Sequence, residues 1–157
     1  LNWALAFTEV HLIIVSVSQD VPLANYNLVL FLASISSAVL FMFLILIQKY
    51  SVKKSFIYTS LLFSVFYYVA YSQVNKFYEL SLNSNYIELK YAPPSKDKKI
   101  SKNEVKSVTF GVPGRIARRC YIAVNLSSGD KYESVSIVGK VDNCKRIRAE
   151  LNKHLML

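Results

Sequence analysis

The sequence has little charge and few cysteines. Only 18% of its 157 residues are Asp, Glu, Lys or Arg, whereas 53% are hydrophobic. Soluble globular domains usually contain about 25% charged and roughly 45–50% apolar residues, so the composition argues against an ordinary soluble domain. It also excludes a disordered chain, which would be polar and highly charged. Two cysteines are too few for a small secreted scaffold held together by disulfides.

Combinations of residues that carry catalysis or bind metals are also missing from the sequence. His11 and His154 lie at opposite ends of the chain, and Cys120 and Cys144 have no further ligands at metal-binding spacing. No phosphate-binding glycine loop, dinucleotide-binding fingerprint, nucleophile elbow or zinc-protease motif occurs. The acidic residues are scattered, whereas general acid–base catalysis needs two titratable groups in one pocket. We therefore expect a protein that is not an enzyme and uses no cofactor or metal.

What is present is a sharp division of charge along the chain. No charged residue occurs between Asp20 and Lys49, or between Lys54 and Lys76. The segment from Lys76 to Leu157 holds 16 Lys and Arg against 8 Asp and Glu, and so carries nearly all of the formal net charge of +9. This division predicts an apolar part in a membrane, followed by a basic part in water.

Two stretches of the apolar part are candidates for membrane-spanning helices. Residues 28–47 contain nothing ionisable and as a helix would extend about 30 Å, the thickness of the hydrocarbon core of a bilayer. Residues 55–73 are shorter and more polar, with tyrosines towards one end that suit the membrane–water interface. Because the connection between them is short, we expect an antiparallel transmembrane hairpin over residues 27–74.

Small residues recur at helical spacing in both candidate spans. Such residues let helix backbones approach closely in lipid, where hydrophobicity itself drives no association. Packing within the hairpin is the favoured interpretation, and self-association of several copies is the alternative. The residues concerned are Ala33, Ser34, Ser37, Ala38, Ser60 and Ser64.

Residues 1–26 form a further apolar segment, which Glu9 and His11 interrupt. A charge at the centre of a span costs about 2.5–3.5 kcal/mol, which disfavours a Glu9 that faces lipid. Three interpretations remain for the first 18 residues. They form an interfacial helix with Glu9 in water, a third span in which Glu9 faces protein, or a lead-in strand at Leu12–Ser18. In the second case, Glu9 and His11 would form a polar site inside the membrane.

The side of the membrane on which the basic part lies is left open by the sequence. Lys49, Lys53 and Lys54 lie in the short connection, and Lys-rich short loops favour the cytoplasm, which would place both chain ends outside. However, the basic part is long, and long domains do not follow this rule. Pairing of Cys120 with Cys144 is equally open, because a disulfide requires proximity and an oxidising compartment.

From about residue 75 the hydrophobic pattern changes to the period of two that is typical of β-strands. The pattern predicts two hairpins and one strand between them, over residues 78–82, 87–91, 105–110, 121–126 and 132–138. Residues 92–99, which contain two adjacent prolines, predict a loop. Apolar residues three and four apart then predict an amphipathic helix over residues 141–155.

The order of these elements over residues 75–157 resembles that of the bacterial PH-like domain. The segments that carry the resemblance are KFYELSLNSNYIELKY, ISKNEVKSVTFG and YIAVNLSSGDKYESVSIVG, followed by the amphipathic helix. In small membrane proteins such a domain often follows a transmembrane hairpin, and the resemblance implies a module for binding or assembly without catalytic residues. The segment is short for a seven-stranded barrel. We therefore expect an α+β membrane protein whose antiparallel sheet or partial barrel is closed by the C-terminal helix.

The densest basic feature is the cluster of Arg115, Arg118 and Arg119. Guanidinium groups match phosphate oxygens, so binding of an anionic lipid head group or an acidic partner is the functional interpretation. A basic surface that only keeps the domain soluble is the alternative. Nucleic acid is disfavoured as a partner because no aromatic stacking platform accompanies the charge. The residues that would extend the cluster are Lys98, Lys99 and Lys102.

Together, these features predict a non-enzymatic integral protein of the bacterial inner membrane. Its basic module would assemble with other membrane subunits as part of a larger complex. The alternative is an oligomerising effector, of the toxin or phage-defence type, whose spans permeabilise the membrane when the soluble module senses a signal.

Overall fold

The computed structural model describes residues 12–114, 118–139 and 141–155. The helices are α1 (Asp20–Leu46), α2 (Val52–Val74) and α3 (Val141–Leu155), and a 3-10 turn covers Lys102–Glu104. The strands are β1 (Leu12–Ser16), β2 (Phe77–Leu82), β3 (Tyr86–Tyr91), β4 (Lys98–Ser101), β5 (Val105–Gly111), β6 (Arg119–Leu126), β7 (Lys131–Glu133) and β8 (Ile137–Val138).

The chain divides into two compact units. The helical unit comprises residues 19–75 and 92–95, and the β unit comprises residues 12–18, 76–91 and the described residues from 96 onward. The predicted α+β class is confirmed, with two long apolar helices, antiparallel sheets and a C-terminal helix. Within the described residues the strands form two sheets and no closed barrel.

Residues 12–16 of the N-terminal segment form a strand. Leu12–Ser16 pair antiparallel with β2. For these residues, the predicted lead-in strand is therefore correct, and neither the interfacial helix nor the third span applies. Val15 is buried in the core of the β unit while Ile13, on the other face, is exposed, as the alternation of a strand requires. Residues 12–18 therefore group with the β unit and not with a separate segment 1–26. Glu9 and His11 lie outside the described residues.

Helix α1 begins at Asp20, eight residues before the start of the predicted span. The acidic Asp20 and the proline at 22 both suit a first helical turn, where an anion meets the positive end of the helix dipole and a missing N–H is tolerated. The 27 residues of α1 and the 23 residues of α2 extend about 40 Å and 35 Å. Both helices are long and apolar enough to cross a membrane.

In the β unit, one sheet has the order β1-β2-β3-β4, and the other has the order β5-β6-β7 with β8 also on β6. Both predicted hairpins are present, β2–β3 and β6–β7. The turn of the second hairpin contains Gly129 at φ 95°, a conformation that glycine adopts without steric cost.

Two details of the strands differ from the prediction. Strand β4 lies partly inside the predicted loop, because the loop closes early: the Asp97 carboxylate accepts a hydrogen bond from Tyr91 N at 2.9 Å. The predicted strand 132–138 is broken into β7 and β8. Ser134, between them, accepts a hydrogen bond from Ile122 N with its hydroxyl and forms a parallel bridge to Phe77.

The two sheets and α3 enclose a single apolar core. The predicted helix 141–155 is present as α3, and its buried residues Cys144 and Leu151 belong to this core. Cys120 at the start of β6 forms a disulfide with Cys144, which links α3 covalently to the second sheet. The largest fully buried side chains of the core include Phe77, Leu80, Ile87, Leu89, Ile122 and Leu151.

Candidate functional site

The predicted arginines lie at one end of the second sheet. Arg118 precedes β6 and Arg119 is its first residue, and both are exposed. Arg119 is the register partner of Val138 in β8, and Arg118 O accepts a hydrogen bond from Gly139 N at 3.2 Å. The backbone of both arginines is thus fixed by β8, while their side chains extend into solvent. Arg115 lies outside the described residues.

Two exposed valines flank these arginines. Val138 is 79% exposed and Val112, which follows the end of β5, is 37% exposed. Gly111 pairs with Tyr121, so the antiparallel register, continued by one residue, places Val112 opposite Cys120, next to Arg119 in the neighbouring strand. We call Val112, Arg118, Arg119 and Val138 the basic edge. It combines exposed apolar side chains with guanidinium groups, the chemistry of a surface that meets lipid head groups or a protein partner.

Elsewhere in the β unit, four lysines form ion pairs with carboxylates. Lys90 Nζ lies 2.7 Å from Glu79 Oε1, and this hydrogen bond raises the pKa of Lys90. The other pairs are Lys99 with Glu88, Lys131 with Glu133, and Lys145 with Asp142. Among the described residues, Arg118 and Arg119 have no carboxylate within ion-pair distance. The basic edge therefore carries charge that is available to a ligand.

The lysines that the sequence assigned to the same cluster lie elsewhere. Lys98 and Lys99 are in β4 of the first sheet, and the half-buried Lys102 begins the 3-10 turn after it. Lys98 Nζ lies 4.2 Å from the centre of the Tyr132 ring, and Tyr132 pairs with Val124 of β6. Val124 is five residues from Arg119, which along a strand is a distance of about 17 Å. The structure thus separates these lysines from the arginines.

The lysines of β4 border a cleft of about 490 Å³. Lys98 also lies 5.6 Å from the centre of the Tyr91 ring, so the ammonium group is held by two aromatic faces. Burial of Tyr91, followed by the proximity of Tyr132, raises the pKa of the Tyr91 hydroxyl far above its usual range. The sequence did not reveal this cluster, because the three residues come from separate strands. The cleft lining mixes both signs of charge and includes Lys98, Lys99, Glu104, Ser128, Asp130 and Tyr132.

The small residues of the spans are only partly used in packing. Ala33 is fully buried in the helical unit, whereas Ser34 is exposed and donates a hydrogen bond to Leu30 O. Ser55, Thr59 and Ala70 of α2 are also buried, and the small-residue spacing in the sequence did not point to them. Four of the predicted residues, Ser37, Ala38, Ser60 and Ser64, line a groove of about 500 Å³ on the helical unit.

The described residues bring together no group of three or more His, Cys, Asp or Glu side chains that could hold a metal ion. Several carboxylates are already engaged: Glu79, Glu88 and Glu133 pair with lysines, and Asp97 accepts the N–H of Tyr91.

Comparison with protein-family models, with curated proteins and with solved structures finds no match for this chain.

Proposed function

We propose that this protein is a non-enzymatic module for assembly at a bacterial inner membrane, in which α1 and α2 span the bilayer and anchor the β unit. One observation carries the proposal: the two helices leave most of their apolar side chains unburied. In the most apolar 18-residue windows of α1 and α2, only 11% and 17% of the residues are buried. Phe31, Val39 and Phe56 are each more than 60% exposed. Lipid is the solvent that such surfaces require.

The pairing of β1 with β2 supports two crossings. These strands flank the helices in sequence and are hydrogen-bonded neighbours in one sheet, from Leu12 opposite Leu82 to Ser16 opposite Glu79. The chain must therefore leave and return on the same side of a bilayer, as two antiparallel spans do. One span alone, of α1 or of α2, would separate the two strands.

The architecture of the β unit supports a PH-like module. A four-stranded antiparallel sheet is followed by a second sheet on β6 and by a C-terminal helix, with a shared core. The hairpins β2–β3 and β6–β7, with β5 between them in sequence and α3 at the end, support the resemblance, while β1 adds a strand from residues 12–16 and the strands form an open pair of sheets. A module of this kind binds other molecules through its edges and loops, and the basic edge is the surface that fits this role.

We assign anionic lipid head groups as the first ligand of the basic edge. Two arginines near an anionic surface contribute about 1 kcal/mol each, and the exposed Val138 and Val112 can enter the interface beside them. Other membrane subunits, or further copies of this chain, would then be bound by a module already held at the surface.

The lipid assignment is tested on the full chain in nanodiscs by amide hydrogen exchange. With anionic lipid, exchange at residues 118–120 and 137–139 should slow by up to about 30-fold relative to zwitterionic lipid, the equivalent of about 2 kcal/mol. Arg118→Ala with Arg119→Ala should abolish this difference. The matched control is Lys106→Ala with Lys153→Ala, two exposed residues that remove the same charge elsewhere. Equal protection in wild type and the arginine variant would exclude the assignment.

The assembly role is tested by the mass of the complex extracted in mild detergent from cells at native expression. We expect other membrane subunits in a fixed ratio to this chain. A homo-oligomer that collapses the membrane potential on overexpression would instead identify the permeabilising effector. Recovery of the chain in the soluble fraction after cell lysis would contradict the anchor itself.

A further inference from the structure

We propose that the β unit lies on the oxidising, extracytoplasmic side of the membrane, with the connection between α1 and α2 in the cytoplasm. This inference rests on the proposed function, because it requires that α1 and α2 span the bilayer. Three independent features of the chain bear on it: the pairing of β1 with β2, the disulfide, and the lysines of the connection.

The pairing of β1 with β2 reduces the possible topologies to two. Since β1 precedes the helices and β2 follows them, residues 12–16 and 77–82 must share one side of the membrane. The connection, residues 47–51, then lies on the other side. Any feature that orients either the β unit or the connection therefore orients the whole protein.

The disulfide orients the β unit. Cys120 and Cys144 are both fully buried, with Cα atoms 6.3 Å apart, and their sulfur atoms are bonded. The bond fixes α3 to β6 across the core and is not an exposed, exchangeable link. Disulfides of this structural type form and persist in oxidising compartments and are rare in the cytosol. The β unit is thus suited to the extracytoplasmic side.

The connection is oriented independently by its charge. Lys49, Lys53 and Lys54 are exposed at the connection and the start of α2, and residues 47–54 contain no Asp or Glu. A short basic segment at the end of two spans is retained in the cytoplasm. This orientation is the same as the one that the disulfide requires. The excess positive charge of the β unit does not oppose it, because long domains are translocated largely regardless of charge.

The orientation restricts what the basic edge can meet. Cytosolic nucleotides, nucleic acids and cytosolic proteins have no access to Arg118 and Arg119 on the extracytoplasmic side. The anionic head groups available there are those of the outer leaflet of the anchoring membrane. The module is then expected to act as an assembly surface outside the cytoplasm.

The test is labelling with a membrane-impermeant maleimide in spheroplasts that express the full chain. Ser128→Cys reports the turn between β6 and β7, and Ser51→Cys reports the connection; both positions are exposed. We expect Ser128→Cys to be labelled at least tenfold more than Ser51→Cys, and the two to be labelled equally after permeabilisation. Preferential labelling of Ser51→Cys would overturn the orientation while leaving the membrane anchor intact. Equal labelling before permeabilisation, or a soluble chain, would instead contradict the two spans.

A second measurement uses the wild-type chain without any added cysteine. After acid quenching and denaturation, a maleimide of high mass should modify neither cysteine unless a reductant is added first. Two modified thiols without reductant would show that Cys120 and Cys144 are reduced in the cell, and this result would overturn the inference even if the chain is membrane-bound.

Discussion

The helical unit and the β unit use the same apolar side chains in opposite ways. Phe77 and Leu89 of the β unit are fully buried, whereas Phe56 and Leu61 of the helical unit are 65% and 60% exposed. Burial of such side chains away from water is the main source of folding free energy in a soluble domain. The β unit supplies this burial from its own residues, whereas the helical unit leaves most of its apolar side chains exposed. This difference supports the proposal that the helical unit lies in a membrane and the β unit in water.

Charge divides the two units in the same way. The helical unit has no charged side chain between Asp20 and Lys49 or from residue 55 to residue 75. The β unit carries ion pairs at its surface, such as Lys90 with Glu79, and each exposed pair contributes little to stability. The charges of the β unit are therefore more informative about binding than about folding, as for Arg118 and Arg119, which have no ion pair among the described residues.

The largest effect should follow from removing a buried side chain of the β unit. Leu89→Ala should lower the free energy of unfolding by about 2–5 kcal/mol, because Leu89 is fully buried in the core. The matched control, Leu61→Ala, changes a 60% exposed leucine of α2 and should cost less than about 1 kcal/mol. Pulse proteolysis of the full chain in nanodiscs measures both. If Leu61→Ala were as damaging as Leu89→Ala, the helical unit would have a buried core of its own.

A lysine in place of an exposed valine should also have very different effects on membrane insertion in the two units. Val39 in α1 and Val138 in β8 are 64% and 79% exposed. Val39→Lys should disfavour membrane insertion by about 2.5–3.5 kcal/mol, since it places an ammonium group near the centre of the span. Val138→Lys should leave insertion unchanged. The measurement is the fraction of each variant that resists alkaline extraction from membranes. Equal resistance would mean that Val39 faces water.

The sequence predicted elements well where the pattern of a segment decides its structure. The long apolar runs, the two hairpins and α3 follow from periodicities that read directly as helix or strand. The pattern was less informative where the structure of a segment depends on pairing with a strand that is distant in sequence. Residues 12–16 form a strand because β2, more than sixty residues later, offers an edge for pairing. Strand β4 pairs with β3 directly after a loop that Asp97 closes on Tyr91.

The candidate site shows the same limit. The exposure of Arg118 and Arg119 agrees with the expectation for a basic cluster, but their proximity to Val138 depends on the pairing of β6 with β8. The contact of Lys98 with Tyr91 and Tyr132 joins three strands and both sheets, so no local spacing predicts it. Pairing of Cys120 with Cys144 likewise follows from the packing of α3 and not from the separation of 24 residues.

The smallest effect concerns the buried hydroxyl of Tyr91. It has no hydrogen-bond partner among the described residues, and burial raises its pKa above the value of about 10 of an unfolded chain. Above about pH 10 the unfolded state therefore releases this proton first, so the stability of the β unit should fall as the pH rises towards the folded pKa. Tyr91→Phe should remove that contribution and should raise stability at neutral pH by about 1 kcal/mol, because no unsatisfied hydroxyl is buried.

The control for this prediction is Tyr86→Phe, which removes a hydroxyl from a half-exposed tyrosine of the same strand. Unfolding of both variants and of wild type is measured between pH 8 and about pH 11. Other groups also titrate there: a hydrogen bond to Glu133 raises the pKa of Lys131, and stability from this pair is lost in the same direction. The contribution of Tyr91 is therefore the difference in pH dependence of the unfolding free energy between Tyr91→Phe and wild type. A variant that is less stable at neutral pH and equally sensitive to alkali would show that the hydroxyl is solvated, and that the β unit is less completely closed to water than its core indicates.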